Sequence, residues 1–137
     1  AYLKAANSDG NDRFGTSVAI DGDTVVIGAP GEGSSATTIN GNAADNSAAS
    51  AGAAYVFVRS GSTWTQQAYL KAANAEAGDF FGTSVSISGN TIVVGALNEA
   101  GGDGGINGNG ADNTLFASGA AYVFVRSGSL WSQQAYL

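Results

Sequence analysis

Carboxylates, hydroxyls and amides must carry any chemistry of this sequence, because it contains no histidine and no cysteine. A serine nucleophile needs a base to activate its hydroxyl, and without histidine the only side-chain amines are Lys4 and Lys71. Asp21 and Asp23 are close enough in sequence to suggest the carboxylate pair of a hydrolase. The equivalent positions 67 residues later, however, hold a serine and an asparagine. The two aspartates are therefore interpreted as hairpin-turn residues. The sequence predicts that the chain is not an enzyme.

Two segments rich in side-chain oxygens are the better candidates for a binding site. They cover residues 40–46 and 107–113, and each contains one aspartate. Calcium takes six to eight oxygen ligands, so a cation site at these segments is one interpretation. The candidate metal ligands are Asn40, Asn42 and Asp45 in the first segment, and Asn107, Asn109 and Asp112 in the second. One carboxylate per segment favours the alternative, an Asx-turn lock that holds a long loop. No cofactor is expected, and calcium stays open.

Charge and hydropathy exclude two classes of partner. The formal net charge is −6, and the five basic residues are scattered along the chain, which argues against a phosphate-binding surface. No apolar run approaches the roughly 18 residues that a membrane span requires, and no segment resembles a signal peptide. We therefore expect neither nucleic acid nor a membrane span.

The chain is a tandem repeat with an offset of 67 residues. Residues 1–7 return as residues 68–74, residues 135–137 open a third copy, and about 41 of the 67 aligned positions are identical without a gap. We predict one repeat over residues 1–67 and a second over residues 68–137, which includes the start of the third.

Each repeat predicts four β-strands and no helix. In the first repeat the strands are expected at residues 14–20, 24–29, 53–59 and 64–72, joined by short turns and by one long loop rich in Gly, Ser, Ala and Asn. A single small sheet cannot bury both of its faces, whereas sheets stacked radially can. The predicted fold class is all-β: two β-propeller blades per chain, each a four-stranded antiparallel sheet.

The motifs of both repeats resemble the FG-GAP repeat of integrin-like propellers, in its bacterial form. The first repeat carries Phe14-Gly15, then Gly28-Ala29-Pro30, then Ala-Tyr-Val-Phe at residues 54–57, and the second repeat matches at residues 81–82, 95–97 and 121–124. The resemblance implies extracellular or cell-surface recognition or adhesion. The family's calcium loop between the first two strands is not carried over, because that hairpin is too short here and has no carboxylate in the second repeat.

Two blades cannot close a propeller, which has four to eight, so their apolar faces need a cover. We predict a homo-oligomer with an even total of blades, such as three or four chains giving six or eight, or else an excerpt from a longer repeat array. Residues 1–6 and 130–137 are interpreted as the two halves of a cut fourth strand, with Lys4 exposed to solvent. Two alternatives remain: a purely structural self-assembling repeat, and a carbohydrate-binding propeller. The aromatic residues that could contact a glycan are Tyr55, Phe57, Trp64, Tyr122, Phe124 and Trp131, although packing between blades is the favoured role for them.

Overall fold

The computed structural model describes all residues from 1 to 137 and contains eight strands in two sheets. Both sheets are antiparallel, four-stranded and ordered as in the sequence, and we call them blade 1 and blade 2. Blade 1 consists of β1 Ser17–Asp21, β2 Thr24–Ala29, β3 Ala53–Ser60 and β4 Thr63–Leu70. Blade 2 consists of β5 Phe81–Ser88, β6 Thr91–Ala96, β7 Ala120–Ser127 and β8 Leu130–Tyr136. No helix has the length and hydropathy needed to cross a membrane.

The core lies mainly between the two blades and follows from the period-2 alternation of the strands. We call rear face the side of a blade that the following blade covers, and front face the opposite side. Blade 1 contributes its rear face to a cluster of 13 buried residues, and blade 2 contributes its front face. The rear-face members are Val26, Ala54, Val56, Ala68 and Leu70, and the front-face members include Phe81, Ile92, Val94, Tyr122, Phe124 and Trp131.

The fourth strand contains a β-bulge in each blade. In blade 1, Val56 lies opposite Ala68 while Phe57 lies opposite Gln66, so that Gln67 is the extra residue. Blade 2 repeats the irregularity between Val123 and Phe124, where Gln134 is the extra residue. A bulge redirects a side chain away from the regular pleat, and the consequence for Gln67 is described below.

The fourth strand of blade 2 differs from the expected cut strand. Ala135 pairs with Val123 and Tyr136 pairs with Tyr122, so the chain's own last residues complete β8. Residues 1–6 lie outside any strand. Ala6 N donates to Gln66 Oε1 at 3.1 Å, as Ala73 N donates to Gln133 Oε1 at 3.0 Å. The first residues therefore follow the path of the segment that joins the two blades, because the same sequence meets the same front face.

Candidate functional site

Asn40 and Asn107 fasten the long loop of each blade to its last strand. The backbone nitrogen of Asn40 donates to the carbonyl of Tyr69, and its side-chain Oδ1 accepts from the Tyr69 nitrogen, both at 2.8 Å. Asn107 makes the same two bonds with Tyr136, at 2.7 and 2.9 Å. Both asparagines have φ of 56°, a left-handed conformation that asparagine tolerates. These bonds hold the loop, as the expected lock would, but they run to a distant strand and are not Asx turns.

Asp45 and Asp112 are also engaged in bonds within their own loops. Asp45 Oδ2 accepts from the nitrogen and the hydroxyl of Ser35 and from the hydroxyl of Ser47, at 2.6–2.9 Å. The Ser35 hydroxyl is the largest cause that lowers the pKa of Asp45 to about 2. Asp112 accepts from the nitrogen and the hydroxyl of Thr114.

The two remaining candidate ligands cap short turns. Asn42 Oδ1 accepts from Ala44 N, and Asn109 Oδ1 accepts from Ala111 N, both at 3.2 Å. Nowhere in the chain do three acidic side chains gather into a group that could hold a metal. The cation site thus stays a prediction, while the loop lock has direct hydrogen bonds to support it.

The aspartates of the first hairpin have structural partners. Arg59 contacts Asp23 Oδ1 at 2.7 Å, and Asp21 Oδ2 accepts from the backbone nitrogen of Gly89 in blade 2. Gly22, between them, has φ of 54°, as the tight turn requires. This geometry fits hairpin-turn residues, and these oxygens do not form the closely spaced ligand set of a calcium loop.

The most unusual group of the chain is a buried ion pair that sequence reasoning missed. Lys71 follows β4, and its Nζ lies 3.2 Å from Glu32 Oε2 and 2.7 Å from each of the carbonyl oxygens of Ser34 and Gly52. Tyr69 donates its hydroxyl to the same carboxylate at 2.8 Å. Both charged side chains are buried, and burial lowers the pKa of Lys71 while Glu32 opposes that shift. Such a pair persists only when further hydrogen bonds satisfy both groups, as they do here.

Blade 2 contains the same buried carboxylate without the cation. Glu99, the counterpart of Glu32, is only 2% exposed. It accepts from the hydroxyls of Tyr122 and Tyr136 at 3.2 and 3.4 Å, and no salt bridge reaches it. Burial raises the pKa of Glu99 above its ordinary value. Lys4, the counterpart of Lys71, is exposed as expected and takes part in no salt bridge.

The blades approach most closely at Gly28, where the backbone of blade 2 passes over β2. A Cβ at Gly28 would collide with the carbonyl oxygen of Gly82, and the Ser17 hydroxyl donates to that same oxygen at 2.8 Å. The missing side chain of Gly28 is therefore what permits this close approach of the two backbones. At Gly15, the counterpart of Gly82, a Cβ would meet nothing within 4 Å, because the structure has no sheet packed on this face of blade 1.

The bulged Gln67 also bridges the blades. Its Oε1 accepts from Trp131 Nε1 at 2.9 Å and from Arg126 Nη1 at 3.5 Å. Arg126 in turn stacks on Trp131, with 5.1 Å from the guanidinium carbon to the ring centroid. Five of the six aromatic side chains considered for a glycan are buried, and Trp64 is partly buried. Packing, rather than a sugar-stacking surface, is the role that this burial supports.

A short backbone ladder completes the contact between blades. The nitrogens of Gly78, Phe80 and Phe81 donate to the carbonyls of Ala49, Ser50 and Ala51, at 3.0–3.1 Å. The donors lie just before β5 and at its first residue, and the acceptors end the long loop of blade 1. The interface therefore combines apolar packing, side-chain bonds and main-chain bonds.

Two faces lack such a cover, and they are the two halves of this same interface. On the rear face of blade 2, Val93 is 37% exposed and Leu137 46%, whereas their counterparts Val26 and Leu70 are 0% exposed. On the front face of blade 1, Val18 and Ile20 are exposed, whereas their counterparts in blade 2 are partly buried. We call these surfaces the open rear face and the open front face.

The chain folds into two four-stranded antiparallel sheets that stack face to face, and the last strand of the first sheet leads into the second. This arrangement defines the class of the protein as tandem β-propeller blades. The family model described as the FG-GAP repeat matches residues 1–57 and 64–124. The chain belongs to the FG-GAP repeat family. Both the predicted family and the predicted all-β blade fold are thus confirmed. Among curated proteins, the chain finds no match.

Proposed function

We propose that the chain is a non-enzymatic scaffold that assembles with other copies into a closed β-propeller and presents its long loops for recognition or adhesion outside the cell or at the cell surface. The observation that carries the proposal is the correspondence between the open front face and the open rear face. Each is one half of the interface that blade 1 and blade 2 already form, so a second copy meets both halves when it stacks head to tail.

The apolar side chains of the two open faces explain why assembly is favourable. Burying a large aliphatic side chain stabilises a contact by about 1.5–3 kcal/mol relative to leaving it in water. Val18 and Ile20 on one side and Val93 and Leu137 on the other offer such surface at every junction. A head-to-tail contact generates a ring when the rotation closes. Three or four chains would give six or eight blades.

The long loops of the two blades support the recognition part of the proposal. They connect the second strand of each blade to the third, over residues 30–52 and 97–119. Ile106, Leu115 and Phe116 in the second loop are exposed apolar side chains, and binding residues are often placed on loops held by a rigid scaffold. Family membership supports an extracellular or cell-surface location.

Native mass measured by light scattering at micromolar concentration tests the assembly. The expected mass is a single multiple of the 13.5 kDa chain. A well-behaved monomer would overturn the ring. A glycan and protein array probed with the assembled protein tests recognition, since a purely structural element would bind neither.

A further inference from the structure

We infer that Lys4 of one copy binds Glu99 of the preceding copy in the ring, and so supplies in trans the cation that Lys71 supplies to Glu32 within the chain. The inference rests on the proposed assembly and names one contact of its interface. Glu99 is the buried acceptor, and Lys4 is an exposed ammonium group with no partner of its own.

The acceptors near Glu99 correspond, 67 residues on, to those that hold an ammonium group in blade 1, with one difference: the Gly101 carbonyl also accepts from the Ser118 hydroxyl at 2.9 Å. Lys71 is bound by one carboxylate and by the carbonyls of Ser34 and Gly52. Moving 67 residues along the chain replaces these by Glu99, Gly101 and Gly119. Every residue has a backbone carbonyl whatever its side chain, so Gly101 can accept a hydrogen bond from an ammonium group as Ser34 does.

The position of Lys4 is fixed by the residues that follow it. Ala5 is buried against the front face of blade 1, and Ala6 is tied to Gln66 as Ala73 is tied to Gln133. Asn7 accepts from Tyr55 and donates to the long loop, as Asn74 does with Tyr122. Lys4 therefore leaves blade 1 as Lys71 leaves blade 2, toward the place of a preceding blade.

Other contacts of the internal interface have counterparts at the same junction. The backbone nitrogens of Asn11, Arg13 and Phe14 correspond to the donors of the ladder between blades, and the carbonyls of residues 116–118 correspond to its acceptors. Gln134 corresponds to the bulged Gln67, and Trp64 to Trp131. One contact is altered, since Ser88 replaces Asp21, which receives the Gly89 nitrogen.

The first three residues and the last three residues of the chain are both Ala-Tyr-Leu. At the junction between two copies, each of these tripeptides is a counterpart of residues 68–70. Only one tripeptide fits beside β7, and β8 already pairs Ala135 and Tyr136 there. Residues 1–3 then turn aside: Tyr2 is already exposed, whereas Leu3, which packs against the front face of blade 1 in the single chain, gives way to Leu137 of the neighbouring copy. Lys4 keeps its place, because the bonds of Ala6 and Asn7 hold the chain after it.

The test compares Lys4→Met, Glu99→Gln and the double variant by native mass over a dilution series. Removing one partner of a buried ion pair is strongly unfavourable, whereas removing both charges is nearly neutral. We expect each single variant to weaken assembly on the order of 100-fold or more, and the double variant to recover most of the loss. Far-UV circular dichroism checks that Lys4→Met, a change at an exposed site, leaves the single chain folded.

The outcomes separate the inference from the proposed function. A wild-type ring that Lys4→Met leaves equally tight would overturn the Lys4–Glu99 contact while the assembly stands. A single-variant loss that the double variant does not recover would also overturn it, because the loss would then not come from an unpaired charge. A monomeric wild type overturns both. Lys71→Met serves as the internal control, since it should lower the melting temperature of the chain at every concentration.

Discussion

Lys71 and Glu32 form an ion pair that is buried on both sides, with 3.2 Å between Nζ and Oε2, and it joins the segment that links the blades to the long loop of blade 1. The same segment and the same loop recur 67 residues apart, yet in this chain the earlier lysine and the later glutamate stay unpaired. The repeat thus leaves an unpaired lysine, Lys4, at the open front face and an unpaired glutamate, Glu99, at the open rear face. The lysine of one copy suits the glutamate of the preceding copy.

Gly28→Ala and Gly95→Ala form a matched pair of substitutions at equivalent positions. A Cβ at Gly28 collides with the backbone of Gly82, which cannot rotate away, whereas a Cβ at Gly95 collides only with the Ser84 side chain. Overpacking of this kind costs about 1–3 kcal/mol. Gly28→Ala should lower the free energy of unfolding of the chain by that amount, measured by urea titration under dissociating conditions.

Gly95→Ala should leave the stability of the single chain nearly unchanged and weaken assembly, because its counterpart surface belongs to the next copy. Equal losses of chain stability in the two variants would contradict this explanation, because only Gly28 faces the backbone of another blade within the chain. An unaltered ring in Gly95→Ala would show that Gly95 does not face a neighbouring blade.

The strands follow the sequence closely except where a neighbouring blade decides their length. The second strand was predicted at residues 24–29 and is observed there. The first strand begins at Ser17 in blade 1 but at Phe81 in blade 2, the counterpart of Phe14. Phe81 pairs with Ala96 and bridges Gly52 of blade 1, so stacking on a preceding blade accompanies the longer strand. A pattern within one repeat cannot contain that contact.

The buried ion pair escaped prediction because it depends on the path of a long loop. Periodicity places Lys71 just after a strand but does not say that residues 31–34 fold back over it. One signal was present: the lysine and the glutamate are among the few charged positions that are identical in both repeats. Lys4 was predicted to be exposed, and it is, but exposure in the single chain does not make it dispensable in an assembly.

Stability should fall as the pH rises through the range in which Asp79 ionises. Burial raises the pKa of Asp79 to about 6, although the hydrogen bond from the Glu76 nitrogen opposes the rise. The carboxylates of Glu99 and Glu76 add to it, and Lys71 opposes it. A carboxyl whose pKa is raised on folding favours the folded state below its unfolded pKa of 3.8, and this contribution is lost as the pH passes about 6.

Urea titrations between pH 4 and 7 measure how the free energy of unfolding changes with pH. The slope should be on the order of 1 kcal/mol per pH unit. Asp79→Asn, which keeps an oxygen acceptor for the Glu76 nitrogen, should reduce this slope and leave the part that comes from Glu99, whose pKa burial also raises. An unchanged slope in this variant would assign the pH dependence to another group.

Calcium removal should change the melting temperature little. Asp45 Oδ2 already accepts three hydrogen bonds from Ser35 and Ser47, so this oxygen is satisfied without an ion. Differential scanning calorimetry with and without a chelator makes the comparison. A large drop in the melting temperature that added calcium reverses would instead establish the cation site at Asp45 and Asp112, because a ligand that binds only the folded state stabilises it.

Cysteine cross-linking tests the head-to-tail contact most directly, because the chain has no cysteine of its own. Arg13 and Ala117 are exposed counterparts of Phe80 and Ser50, which are joined by a backbone bond between the blades. A chain carrying both Arg13→Cys and Ala117→Cys, treated with a short bis-maleimide, should give a ladder of covalent multimers ending at one closed size. Each single variant should give none. Dimers from a single variant, or a double variant that stays at 13.5 kDa, would contradict the account.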